Sequence, residues 1–284
     1  MNVQQILRHY NLRPRKGLGQ HFLTSETHLR QIVEAAQLTR DDLVLEIGPG
    51  LGSLTRRLAE AAGHVVAVEL DEQFVSILQS LLGGPQNVTI LHGDILKLWP
   101  SELLSRYPGD ASCYKVVANL PYYITGAILR HLLEASPSPQ VLVLTVQREV
   151  AERICAAPPR MSLLAVSVQF HAEPELLSVI PAGAFYPRPK VDSAVVRLWP
   201  RQQPEAAVED VERFFSVARA GFGQRRKQLR NSLSAGLGLS TREVEDALTR
   251  AGIDFRRRAE TLTLAEWAEL YQQLPRQTLQ PAQA

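Results

Sequence analysis

Five short runs dominated by Val, Ile and Leu do most to restrict what this chain can fold into: "LVLEIG" (43–48), "HVVAVEL" (64–70), "NVTILHGD" (87–94), "YKVVANL" (114–120) and "QVLVLTVQ" (140–147). They are apolar along their whole length rather than at alternate positions, which is the pattern of strands covered on both faces. Between them apolar residues recur at helical spacing, as in Leu54, Leu58 and Ala61, then Phe74, Leu78 and Leu81, then Ile128, Leu132 and Leu133. Strand and helix in alternation predict an α/β fold with a doubly wound, mostly parallel, Rossmann-like sheet. Two further stretches, "VQREVAERI" and "SLLAVSVQF", read as helices. The runs "ELLSVI" and "SAVVRLW" come next with no long crossover between them, and predict an antiparallel hairpin closing the sheet. At "PRQQPEAAV" (200–208) the composition shifts to that of a linker. Beyond it the pattern is only helical, with S/T-x-x-E capping boxes at Ser240–Glu243 and Thr263–Glu266, each ahead of an apolar stripe. The expected division is an α/β domain over residues 1–200 and a small all-helical domain over 201–284, ending in a floppy tail, "LQPAQA".

Composition removes several classes of function. At 45% hydrophobic and 21% charged residues the chain is globular. Its start, "MNVQQILRHY", lacks a basic-then-apolar signal pattern, and runs such as "VLVLTV" are too short to cross a bilayer, so a soluble cytoplasmic protein is expected. Cys113 and Cys155 make neither a disulfide framework nor a metal-ligand set, and no structural metal is expected. The net charge of +2 conceals clusters: "RPRK" at 13–16, "QRRKQLR" at 224–230 and "RRR" at 256–258. Such clusters suit a polyanionic partner, and equally suit an ordinary solvated surface.

The chemistry gathers at the ends of the strands. In "EIGPGLGSLT" (46–55), Gly48, Gly50 and Gly52 permit a tight turn and close backbone approach to a ligand. A nicotinamide cofactor asks for G-x-G-x-x-G, but here the third Gly falls one place early and Ser53 takes the sixth position. Glu46 lies inside the motif, Glu69 ends the next strand within reach of ribose hydroxyls, and Asp94 follows the strand after that, within reach of an adenine amine. Singly, each acid could merely cap a helix. As a trio they suit S-adenosylmethionine (SAM), which carries an adenosine and an ammonium but no pyrophosphate. "NLPY" (119–122) ends the fourth strand, beside the glycine loop in a sheet so wound. The Asn119 side-chain oxygen and the Leu120 carbonyl could hold both hydrogens of an adenine amine, whose nitrogen lone pair would then face the methyl donor. Pro121 would stiffen the turn. Tyr122 could stack on the base, worth about 1–3 kcal/mol, so its ring rather than its hydroxyl is expected to matter. Proximity and alignment would carry the catalysis, with no general base.

Taken together, "LGQHFL" (18–23), "EIGPGLGSLT", "VEL" (68–70), "HGDI" (92–95), "NLPYYI", "FYPRPKVDSAVV" (185–196) and "QRRKQLRNSL" (224–233) resemble the bacterial 16S rRNA adenine dimethyltransferases, over roughly residues 11–272. The resemblance implies transfer of two methyls from SAM, leaving S-adenosylhomocysteine, to each of two adjacent adenosines in the hairpin loop near the 16S 3′ end. The substrate would be a late small-subunit assembly particle. It implies cofactor contacts from His21, Leu23, Gly48, Glu69, Asp94 and Asn119, to which the glycine-loop reading adds Gly50 and Glu46. It also implies that Phe185 is the aromatic on the far face of a flipped base, sandwiching it against Tyr122. Lys190 and Asp192 could equally serve only to fix that turn. His21 departs from the family, where many relatives have Asn. Arg225, Arg226, Lys227 and Arg230, spread over about two turns of a helix, are the expected phosphate contacts, and a monomer is expected. Alternatives are a large-subunit rRNA adenine methylase of the antibiotic-resistance type, a non-catalytic assembly or transcription factor on the same fold and, least favoured, a nicotinamide oxidoreductase.

Overall fold

The structure is a computed structural model that describes residues 3–15, 17, 19–82, 87–107, 112–202 and 208–276. Lys16 and Leu18 of the N-terminal motifs, residues 203–207 of the expected linker and the tail from 277 onward lie outside the described residues. Each of the five apolar runs is a strand: β2 (Leu43–Ile47), β3 (His64–Glu69), β4 (Val88–His92), β5 (Tyr114–Asn119) and β6 (Val141–Gln147). Short β1 (Phe22–Leu23) precedes them, and β7 (Ala172–Ile180), β8 (Phe185–Tyr186) and β9 (Ser193–Pro200) follow. Seven of the strands form one sheet in the order β4-β3-β2-β5-β6-β9-β7. Strands β2 to β6 are parallel, and β9 runs antiparallel to β6 with Leu142 opposite Leu198 and Gln147 opposite Ser193. The expected closing strands are therefore present, with β9 inserted between β6 and the edge strand β7.

The helices on this sheet are α1 (Val3–His9), α2 (Glu26–Ala35), α3 (Ser53–Ala61), α4 (Glu72–Leu82), α5 (Pro100–Leu104), α6 (Thr125–Leu133) and α7 (Arg148–Ile154). All five residues of β2 are buried, as both-sided cover requires. One core gathers Leu29, Ile32, Leu54, Leu58, Val117, Val143 and Phe185. A smaller one joins α1 to Phe22, Leu51, Phe74 and Ile77. A feature invisible to periodicity is the two-residue pairing of β1 with β8, Phe22 opposite Tyr186 and Leu23 opposite Phe185, which ties the N-terminal segment to a point more than 160 residues away.

The remaining helices are α8 (Leu163–His171), α9 (Val211–Phe222), α10 (Leu229–Leu237), α11 (Thr241–Arg250) and α12 (Leu264–Gln273). By contacts the chain divides into one unit of residues up to Glu152 with Glu173–Pro200, and a second of Arg153–Ala172 with the residues from Arg201 onward. A single cut at 200/201 thus misplaces α8. Its nearly all-apolar sequence buries Ala165, Val166 and Phe170 in the helical core with Phe214, Val217, Leu233 and Trp267, and Phe170 stacks on Phe214 at 4.9 Å. Both capping boxes are formed reciprocally, with Ser240 N–H and Thr263 N–H each donating to the Glu three residues on at 2.8 Å.

Helices α9 and α10 approach closely because Gly236 has no side chain: a Cβ there would stand 2.8 Å from the Ala220 Cα. Alanine is favoured over glycine in a helix by about 1 kcal/mol, whereas forcing two backbones apart in a filled core costs about 1–3 kcal/mol. Gly236→Ala is expected to destabilise the helical unit by up to about 2 kcal/mol on balance, read from urea unfolding, rather than stabilise it as propensity alone requires.

Candidate active site and basic surface

Parallel pairing brings the carboxyl ends of β2, β3, β4 and β5 to one edge of the sheet, where a cavity is lined by Gly19–Leu23, Glu46–Leu51, Glu69, Asp94 and Asn119–Ile124. The glycine loop between β2 and α3 has Gly48, Gly50 and Gly52 all in the left-handed region, at φ of 67°, 56° and 77°. A side chain at Gly52 would also meet the Leu78 Cδ1 at 2.4 Å, and one at Gly50 the Phe22 ring at 2.8 Å. The loop is tied down by Gly48 N–H to the Val68 carbonyl (2.9 Å) and Gly50 N–H to Glu69 Oε2 (3.0 Å).

Glu69 is thus occupied structurally as well as facing the cavity: its Oε1 accepts from Asp71 N–H at 2.9 Å. Burial raises its pKa from the usual carboxylate value, and the Asp71 and Gly50 amides partly oppose the shift. Asp94 does the local work that a strand-end acid often does. Its Oδ1 accepts from Leu96 N–H at 3.1 Å, capping a single 3-10 turn over Ile95–Lys97, while the residue lines the cavity. Glu46 is different. It is buried in β2, its Oε2 has no hydrogen-bond partner among the described residues, and burial pushes its pKa up to about 8, with the Glu69 charge adding and the Thr55 hydroxyl opposing.

Asn119 ends β5 next to β2, and its Nδ2 donates to the His21 carbonyl at 3.0 Å. A carbonyl cannot donate, so this bond fixes which way the amide faces. The amide oxygen, Oδ1, is left buried without a partner among the described residues. Leu120 is buried, and its N–H is bonded to the Thr145 carbonyl at 3.0 Å. Pro121 leads into a 3-10 turn over Tyr122–Ile124. The Tyr122 hydroxyl lies 2.6 Å from the Ser193 hydroxyl, and its ring stacks on His21 with centroids 5.7 Å apart. His21 in turn donates from Nδ1 to the Pro187 carbonyl at 2.7 Å.

Phe185 is a correction. It is 4% exposed, packs with Leu23, Ile180 and Val195, and does not line the cavity. Successive side chains of a strand point to opposite faces, so the register that pairs Phe185 with Leu23 sends it into the core and turns Tyr186 outward. Residues that sequence reasoning passes over include Tyr123, 54% exposed on the cavity, and Leu70, 45% exposed. Each stands beside a motif with a recognisable role, which is the available signal. Asp192 fixes the turn as expected, accepting from Ala182 N–H at 2.8 Å.

On the helical unit, Arg225, Arg226 and Lys227 are exposed but lie in a turn between α9 and α10 rather than on a helix. Phe222 and Gly223 end α9, and no apolar residue follows until Leu229 to anchor a helical face. Arg230 also departs from expectation. It sits on α10, paired with Glu245 at 2.6 Å and lying over the Phe255 ring at 5.1 Å. The neighbouring turn is held to this one by Leu229 N–H to the Arg257 carbonyl at 2.7 Å. In "RRR", the middle Arg257 is committed to Glu266 and Thr261, while Arg256 and Arg258 are exposed. The exposed cations thus form a surface of two adjoining turns.

Comparison with known proteins gives a consistent family. The profile of the family described as ribosomal RNA adenine dimethylase matches residues 11–275. A protein of Dehalococcoides mccartyi (strain CBDB1) named ribosomal RNA small subunit methyltransferase A is 49% identical over 269 residues, covering 94% of this chain and 91% of its own length. One of the same name from Clostridium acetobutylicum is 41% identical, covering 97% and 99%. Among solved structures, the 23S rRNA methyltransferase ErmE matches with a TM-score of 0.69 at 31% identity, covering 89% of this chain and 99% of that one. A dimethyladenosine transferase from Plasmodium falciparum shares the fold at a TM-score of 0.69 and 24% identity, covering 88% and 95%.

The raised pKa of Glu46 makes stability depend on pH in a defined sense. The folded state holds this proton up to about pH 8 and the unfolded state only to about 4.5. The contribution is therefore complete below pH 4.5 and is lost as pH rises toward 8. Glu46→Gln removes the titration, so its melting temperature should gain on that of the wild type between pH 5 and pH 8, by about 2–4 °C per kcal/mol of linked stability. Parallel melting curves for the two proteins would show no Glu46-linked proton.

Proposed function

The chain belongs to the ribosomal RNA adenine dimethylase family, and we propose from this, and from the buried acceptor at Asn119, that it transfers methyl groups from SAM to N6 of two adjacent adenosines in the 3′-terminal hairpin loop of 16S rRNA. The substrate is a late small-subunit particle. The single observation that carries the chemistry is the orientation of the Asn119 amide: Nδ2 is spent on the His21 carbonyl, which leaves Oδ1, a buried acceptor on a residue lining the cavity, without a partner among the described residues.

SAM, when bound, supplies a methyl group on a positively charged sulfur that leaves as a neutral thioether. The cavity fits such a molecule. The left-handed glycine loop leaves room for close approach, Glu69 and Asp94 offer acceptors for an adenosine, and the unpartnered Glu46 Oε2 offers one for an ammonium. A cation there favours the carboxylate form of Glu46, so binding near neutral pH releases a proton.

On the acceptor side, Asn119 Oδ1 and the Leu120 carbonyl each take one N–H of the target amine, which sets the N6 lone pair toward the methyl group. Methyl transfer along that line would leave N6 with a surplus proton, which would then depart to water. Tyr122 stacks on the base. Burial raises the pKa of its phenol, which keeps it neutral. Alignment carries the rate. Arg225, Arg226 and Lys227, with Arg256 and Arg258 beside them, bind phosphates and so give affinity without reading sequence. The small-subunit assignment over a large-subunit one rests on sequence. Curated relatives named as small-subunit enzymes share 41% to 50% identity, against 31% for ErmE, while the fold is common to both.

Purified protein given labelled SAM and undermethylated small subunits is expected to place label on two adjacent adenosines; label on the large subunit, or none, would overturn the assignment. Asn119→Ala should lower kcat by about 100-fold or more, as loss of a positioned hydrogen-bonding group does elsewhere, without weakening particle binding. Replacing Arg225, Arg226 and Lys227 together by Gln should flatten the salt dependence of particle binding by about 0.7–0.9 log units for each phosphate no longer neutralised and leave SAM affinity alone. Arg230→Gln should do the reverse, costing the helical unit about 0.5–1 kcal/mol with no change in salt slope.

A further inference from the structure

Tyr122 is held more firmly than a stacking platform requires. Its hydroxyl meets Ser193 Oγ at 2.6 Å, and Ser193 is fully buried at the start of β9, directly opposite Gln147 at the end of β6. One face of the ring lies on His21 at 5.7 Å with 21° between the planes. At that separation the rings are already in stacking contact, and no base enters between them. The His21 ring is itself fixed by Nδ1–H to the Pro187 carbonyl, and the His21 carbonyl fixes Asn119. Pro187 and Ser193 both belong to "FYPRPKVDS", the motif whose Phe185 is a core residue. The motif therefore meets the active site through a carbonyl and a hydroxyl rather than through its aromatic.

We propose that Ser193 is a positioning residue for the methyl acceptor, holding the edge of Tyr122 while His21 holds one face, so that the free face offers the target base a single plane, and that this hold matters more for the second methyl transfer than for the first. The inference rests on the reaction proposed above. For the first transfer the amine presents two N–H groups, and both Asn119 Oδ1 and the Leu120 carbonyl are engaged. After it, one N–H remains and one of those two hydrogen bonds is gone. Stacking on Tyr122 is then the larger part of what orients the base. A ring free to tilt misplaces the monomethylated amine more than the unmethylated one.

The test is single-turnover methylation of undermethylated small subunits by the full chain, with N6-methyl- and N6,N6-dimethyladenosine quantified separately by mass spectrometry. Ser193→Ala and Tyr122→Phe each delete one side of the same hydrogen bond, and Tyr122→Phe does so without opening a cavity in β9. Both are expected to slow the second transfer by about 2- to 10-fold and the first by less. Monomethyladenosine then accumulates, while SAM affinity and particle binding are retained. The double variant should be no worse than either single one, because the two deletions remove one interaction. An unchanged mono-to-dimethyl ratio in Tyr122→Phe, an equal slowing of both steps, or additive losses in the double variant would overturn the proposal. If the wild-type chain transfers no methyl at all, the functional reading itself falls; if it transfers normally and the ratios do not move, the positioning role alone falls.

Discussion

The active edge depends on parallel pairing in one register. Leu43 of β2 lies opposite His64 of β3 and Tyr114 of β5, so the three strands start level and end within a residue of one another, and the chain leaves each of them at the same edge. Because β2 and β5 are neighbours though far apart in sequence, Asn119 comes out beside the glycine loop, and Glu69 comes out on the loop's other side. A one-residue slip would exchange the buried and facing side chains of a strand. Such a slip would turn Asn119 or Glu69 away from the cavity.

Much of this is legible in the sequence because continuous apolar runs have few other homes. The five central strands, the closing pair and both capping boxes lie where periodicity and composition place them, and so do Asn119, Glu69 and Asp94 around the cavity. What periodicity misses is short or alternates at a single step. A two-residue pairing such as β1 with β8 carries no repeat to detect, and it alone decides that Phe185 turns inward and Tyr186 outward. The turn at Arg225–Lys227 escapes for a related reason. Cationic residues are tolerated in a helix, but six positions without an apolar side chain between Phe222 and Leu229 give that helix no face to bury, and Gly223 ends it.

The same contrast separates side chains that hold the site together from those facing a ligand. Glu69 looks like a ligand contact from sequence and is also the bolt of the glycine loop, so its removal would disturb the loop whatever it does to a ligand. His21, in a position where the resemblance leads one to expect Asn, works through its carbonyl on Asn119 and through its ring on Tyr122 and Pro187. Its backbone role survives any side chain, which accounts for how two residue types can serve there.

Among the buried oxygens without a partner in the described residues, two belong to residues that line the cavity, Glu46 Oε2 and Asn119 Oδ1. A buried polar atom without a partner costs on the order of 1–3 kcal/mol, and an apolar residue of similar size at either place would remove that cost from the free protein. The sheet keeps both, one on β2 and one at the end of β5, the two neighbouring strands whose ends flank the cavity. The Asn119 amide is locked by a carbonyl that only accepts, and Glu46 escapes its own charge only by holding a proton to about pH 8. A cation at one and an N–H at the other would recover the stability forgone at these two atoms, a pairing that the SAM and adenine amine of the proposed reaction supply together.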